Sequence, residues 1–158
     1  MIKKSTLYFL CLNVIFFLIN CSTAPKNELT ENDVKYLKSI ADRDEELVVG
    51  EQWDTLTAQY TPDAVRHPPN GSPIRGRDSI RNWFNYLPPI KAFHFRMDEL
   101  KGNGSYAYMR ATYDITVSSP DLRDITDTGK TLIVFKKQPN GSWLRVADAW
   151  SSNLSPGK

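Results

Sequence analysis

Four groups of side chains in this sequence have the chemistry of a functional site, and their spacing decides which of them can meet. Asp44 falls on an apolar helical stripe, between Ala41 and Leu47. A carboxylate buried on such a stripe costs several kcal/mol unless it is paired or hydrogen-bonded, so it must line a cavity, cap something or hold a partner. Asp148 lies near the C-terminus in an alternating segment, and strict alternation puts it on the face of Leu144, Val146 and Trp150. Two carboxylates facing one cavity would push each other's proton affinities apart and supply an acid and a base. The alternative is a structural carboxylate holding a backbone turn or an arginine. His67 could also act as a base, because an imidazole titrates near neutral pH, although alternation points it away from the neighbouring Pro68. The fourth group is aromatic: Tyr60, Trp83, Tyr113 and Trp150 suit an apolar ligand site, whereas Trp53 and Phe84 read as core. The histidines, His67 and His94, have no carboxylate at ligand spacing, so no metal is expected. No cofactor is expected either.

Elements must bring these residues together. Thr30-Glu31-Asn32-Asp33 reads as a helix start, with Thr30 or Asn32 able to cap the free amides. Val34, Leu37, Ile40, Ala41, Leu47 and Val48 then recur at helical spacing. A second short helix is predicted after Gly50, with Trp53, Leu56 and Tyr60 on one face, broken by Thr61-Pro62-Asp63. Ala64 to His67 is a short extended piece, and a third helix is predicted over about Asp78 to Leu87. Strands follow. Phe93, Phe95 and Met97 alternate with polar residues; Ser105 to Val117 puts Ala107, Met109, Ala111 and Tyr113 on one face and Tyr106, Tyr108, Arg110 and Thr112 on the other. Pro120 to Thr128 reads as a loop, Thr131 to Lys137 as a strand, Asn140-Gly141 as a hairpin turn and Trp143 to Trp150 as the last strand. Three helices before a meander of antiparallel strands argue for an α+β fold with the helices on one sheet face. A dinucleotide-binding fold would alternate strand and helix and needs a glycine-rich turn, which is absent.

The N-terminus differs from the rest. Lys3 and Lys4 precede the apolar run Leu7 to Ile19, too short for a permanent transmembrane helix of about 20 residues. That is the pattern of a signal peptide. The run ends in Leu18-Ile19-Asn20-Cys21, which resembles the lipobox of bacterial lipoproteins, apart from Asn20 where that family has Gly, Ala or Ser. The resemblance implies acylation of Cys21 and a lipid anchor in a bacterial membrane, with the domain outside the cytoplasm. The expected organisation is a signal peptide over 1–20, a lipidated tether over 21–29 and one domain over 30–154. Cys11 and Cys21 both precede the domain, leaving it without a disulfide. With Lys3 and Lys4 removed, basic and acidic residues balance, so no electrostatic footprint for nucleic acid remains.

From Trp53 onward the pattern has a precedent. The segment WDTLTAQYTPDAVRHPPNGSPIRGRDSIRNWF resembles the opening of SnoaL-like and ketosteroid isomerase-like domains, and GKTLIVFKKQPNGSWLRVADAWSSNL resembles the end of a SnoaL-like subgroup compared with the calcium/calmodulin-dependent kinase II association domain. The resemblance implies a cone-shaped nuclear transport factor 2-like fold, three helices on a curved antiparallel sheet, a deep pocket for a small-molecule ligand, and a homodimer. It also implies where steroid isomerases of this superfamily carry their base and two oxyanion donors. Here those positions hold Pro68, Asp44 and, approximately, Lys130, while Trp150 matches a pocket-lining tryptophan. Expected functions are therefore ligand binding without steroid-isomerase chemistry; an isomerase or dehydratase using Asp148, Asp44 or His67; or, more weakly, assembly.

Overall fold

The computed structural model describes residues 28–119 and 123–154. Helix α1 (Glu31–Val49) starts at Thr30, whose side chain accepts from the Asp33 amide while the Asp33 carboxylate returns to the Thr30 amide. This reciprocal capping box satisfies two of the free N–H groups of the first turn. Helices α2 (Trp53–Thr57) and α3 (Arg77–Asn85) follow, α3 entered through Gly76 at φ 85°, a conformation that favours glycine. Among the described residues the strands are β1 (Tyr60–His67), β2 (Ile74–Arg75), β3 (Ile90–Gly102), β4 (Tyr106–Val117), β5 (Ile125–Lys137) and β6 (Trp143–Ser152). They form one open sheet in the order β2-β1-β6-β5-β4-β3.

The predicted α+β architecture is present, with three differences in detail. Tyr60 and Thr61-Pro62-Asp63 belong to β1 and not to a helix and its break. The predicted loop before Thr128 is strand from Ile125 onward, because the segment Ile125-Thr126-Asp127-Thr128, three of whose residues are β-branched, pairs fully with β4. The sheet is mixed, since β1 runs parallel to β6 while every other pair is antiparallel. Register shifts in the β1–β6, β3–β4 and β5–β6 pairs bend the strands and curve the sheet around the helices.

Two apolar clusters form where helices meet sheet. Leu37, Ile40 and Ala41 of α1 pack with Met109, Phe135 and Trp143 at one end. Leu47, Val48, Leu56, Ile80, Phe84 and Ile90 pack at the other. Asp44 falls on α1 between these two sets. Among the described residues no helix is long and apolar enough to cross a membrane. The predicted signal peptide, Cys21 and most of the tether lie outside the described residues.

Candidate functional site

Between the two clusters the sheet and helices enclose a cavity of about 300 Å³. Its walls are aliphatic and aromatic, with Leu87, Ile90, Phe93 and Ile115 on one side and Trp83 and Trp150 on another. Trp83 and Trp150 meet edge to face, centroids 5.5 Å apart, a favoured arrangement of aromatic quadrupoles.

The inner end is polar and almost closed to solvent. Asp44, Arg145, Tyr60 and Asp148 are each no more than 5% exposed. Arg145 Nη2 donates to Asp44 Oδ2 at 2.5 Å. The Tyr60 hydroxyl donates to Asp148 Oδ2 at 2.8 Å, and Arg66 Nε donates to the same oxygen at 2.9 Å. Thr131 Oγ1 reaches Asp148 Oδ1 at 3.4 Å. The Arg66 guanidinium also lies 4.7, 4.4 and 4.3 Å from the ring centroids of Trp83, Phe84 and Trp150, so three aromatic faces share its charge.

These surroundings shift proton affinities. Burial raises the Asp44 carboxyl above its ordinary value, against the opposing charge of Arg145. Arg145 is held more firmly in its charged form: burial works against the charge, but Asp44, Tyr60 and Asp148 outweigh it. Burial and the adjacent Asp148 charge push the Tyr60 phenol up to about 12. Burial, then the charge of Asp127, raises the Tyr113 phenol as well. The network thus offers fixed charges and donors to a polar group entering the cavity, with burial making the Asp44 carboxyl harder to ionise than a free one.

Asp44, Asp148, Tyr60, Trp83, Tyr113 and Trp150 all line this cavity. His67 does not; it is exposed at the end of β1, out of reach of the network. Both carboxylates are paired with arginines, the structural alternative weighed for them. Three functional candidates were not read from the sequence. Arg145 was missed because strict alternation on β6 turns it outward. The β5–β6 register skips Val146, with Ala147 opposite Val134 and Arg145 opposite Phe135, so the bulge reverses parity and both Arg145 and Asp148 face inward. The signal was Trp143 and Trp150: both need cover, yet they stand on opposite parities of an unbroken strand. Arg66 shares parity with Ala64, which is fully buried. Asp127 was hidden in the predicted loop, though it alternates with Thr131, Ile133 and Phe135. Among the described residues no three His, Cys, Asp or Glu side chains cluster as metal ligands.

Among the described residues, three helices over a curved open sheet, with a cavity between them and a charged inner end, define a cavity-bearing α+β domain. The chain belongs to the SnoaL-like domain family, which matches it over residues 45–150. No protein among the curated sequences matches it. Solved structures of the nuclear transport factor 2-like superfamily are similar. A ketosteroid isomerase-like protein from Erwinia carotovora atroseptica superposes with a TM-score of 0.72 at 15% identity, covering 80% of this chain and 100% of that one. A nuclear transport factor 2-like superfamily protein from Salmonella enterica gives 0.64 at 19% identity, covering 78% and 92%. A candidate dehydratase of the same superfamily from Streptomyces avermitilis gives 0.65 at 15% identity, covering 80% and 100%. At these identities the likeness establishes the fold alone.

Proposed function

We propose that this domain binds a small, largely apolar molecule in its cavity. The observation that carries the reading is the contrast between aliphatic and aromatic walls and a buried, hydrogen-bonded polar floor within about 300 Å³, a composition that suits a compact ligand oriented by a few polar contacts. Titrating the purified protein with small arylalkyl compounds, while following tryptophan fluorescence, tests it. Trp83 and Trp150 line the cavity, so a bound molecule should change the emission and Trp150→Ala should weaken the response. An unchanged spectrum across the series would remove the reading.

A specific observation favours a second reading, an isomerase- or dehydratase-type enzyme. Asp44 Oδ1 is buried without a hydrogen-bond partner, on a carboxyl whose proton affinity burial raises. Such a group in a cavity is a candidate acid. If the domain is an enzyme, Asp44→Asn, which keeps the side-chain shape, should abolish turnover in protein that still folds. The steroid-isomerase mechanism is not part of this reading: Pro68 is outside the cavity lining and Lys130 is exposed. An assembly role is weaker, because the cavity is not plugged by its aromatic residues.

The leader suggests where binding would take place. Lys3, Lys4, the apolar run and Leu18-Ile19-Asn20-Cys21 support export and acylation at Cys21, placing the domain on the outer side of a bacterial membrane. Changing Cys21 to Ala should release the protein from the membrane fraction; an intact mass without acyl chains on the wild type would sink this idea. A homodimer is the proposed oligomeric state, through the outer sheet face.

A further inference from the structure

Five charged side chains line the cavity: Asp44, Arg66, Asp127, Arg145 and Asp148. Four neutralise one another in place, Asp44 with Arg145 at 2.5 Å and Asp148 with Arg66 at 2.9 Å. The guanidinium groups have further cover, since Arg66 lies over three rings and Arg145 lies 5.3 Å from the Tyr60 ring centroid and 6.0 Å from that of Phe135. Asp127 is the exception in having no counter-charge. Its Oδ1, like that of Asp44, is buried with no hydrogen-bond partner. Its Oδ2 receives one long hydrogen bond, 3.3 Å from the Tyr113 hydroxyl. That hydroxyl also donates to the Ser151 carbonyl at 3.2 Å, and a phenol has one proton to share. Among the described residues no cation pairs with Asp127.

The cavity therefore carries one uncompensated carboxylate beside aromatic faces. Tyr113, its hydrogen-bond partner, stacks on Phe93 at 6.4 Å. Asp127 is half-buried as a residue, but an oxygen shut off from both water and partners is costly, and an entering cation relieves that cost. Aromatic faces add attraction for the same charge. An anionic ligand would meet repulsion from Asp127, and the charge of each arginine is already paired with a carboxylate, Arg66 with Asp148 and Arg145 with Asp44.

Resting on the reading that this cavity binds a small apolar molecule, we propose that its ligand carries a cationic nitrogen, an alkyl- or arylalkyl-ammonium group. The nitrogen sits on Asp127 and the hydrocarbon lies against the aromatic walls.

Three probes of nearly equal shape test the charge: phenethylamine, phenethyl alcohol and phenylacetate, titrated calorimetrically into the purified protein at neutral pH. The ammonium compound is expected to bind about tenfold or more tightly than the alcohol, and the carboxylate more weakly than either. Asp127→Asn, which keeps the side-chain shape, should erase the amine's advantage while leaving alcohol binding unchanged; Asp127→Ser serves the same purpose if the asparagine variant fails to fold. An alcohol that binds wild type as tightly as the amine, or an amine advantage that survives both substitutions, would overturn this proposal and leave the apolar-cavity reading standing. Binding of none of the three at millimolar concentration would remove that reading and the inference with it.

Discussion

Asp44 and Arg145 show what a single position must satisfy in this molecule. Both side chains are almost completely buried and face each other at 2.5 Å. Removing one partner strands the other's charge away from water, which typically costs about 3–5 kcal/mol. Asp44→Leu and Arg145→Met should each destabilise the fold by roughly that amount, while the double variant should lose much less than the two costs together. Urea denaturation of all four proteins checks this, and additive losses would show that the pair is not coupled. Asp33 makes a second, separate test. Burial alone would raise its carboxyl, but hydrogen bonds from Lys137, Trp143 and Thr30 outweigh that and hold it below the ordinary value of 3.8. The folded chain therefore binds that proton less tightly than the unfolded chain. The resulting stability is present above pH 3.8 and is lost as pH falls through the folded-state value. Asp33→Asn should cost about 1–3 kcal/mol at neutral pH, with the difference from wild type narrowing on acidification. A difference that stays constant down to pH 2 would contradict the assignment. At this scale Asp44 was legible because one carboxylate interrupts an apolar stripe. Its partner was not, because nothing in a single residue type says which strand face it occupies.

Strand parity is a property of the element, and one extra residue changes it. On β6 the unpaired Val146 lets Trp143 and Arg145 share the inward face with Asp148 and Trp150. Alternation counted along the sequence places Asp148 and Trp150 correctly and Arg145 on the wrong side. The helices were easier to read, since the stripe and the Thr30 cap act within one segment, whereas a bulge depends on two strands meeting. Tyr60 illustrates the other limit: its spacing from Trp53 and Leu56 fits a helix, yet pairing with β6 draws it into β1. Gly129 is the counterpart of the bulge on β5. It stands opposite Tyr113, and a Cβ there would lie 2.4 Å from the Tyr113 hydroxyl oxygen and 2.0 Å from the Ser151 carbonyl oxygen. Only glycine lets Tyr113 lie across the strand toward Asp127. Gly129→Ala should therefore destabilise the domain by about 1–3 kcal/mol through overpacking. Adding Tyr113→Ala should not restore stability, because the Ser151 carbonyl still obstructs the methyl group. Thermal unfolding of the single and double variants measures this; full recovery in the double variant would mean that the tyrosine alone sets the constraint.

The whole molecule turns two different faces of one sheet to two tasks. The concave side, under the helices, holds two apolar clusters with the cavity and its charge network between them. Among the described residues no helix covers the outer side. There Tyr106 is 47% and Leu132 45% exposed, and register places Tyr108 beside Val134 and Arg110 beside Leu132. Exposed tyrosine and leucine next to arginine have the composition of a protein interface, which supports the proposed dimer. Dimerisation through this face would leave each cavity complete within its own chain. Replacing Leu132 with Glu should then convert a dimer to a monomer at tens of micromolar, as read by light scattering. Ligand response in the cavity should remain, because Leu132 points away from Ile133, which lines it. A wild-type protein that is already monomeric at that concentration would remove the dimer proposal, whereas loss of ligand response together with the dimer would show that the two faces are coupled through β5.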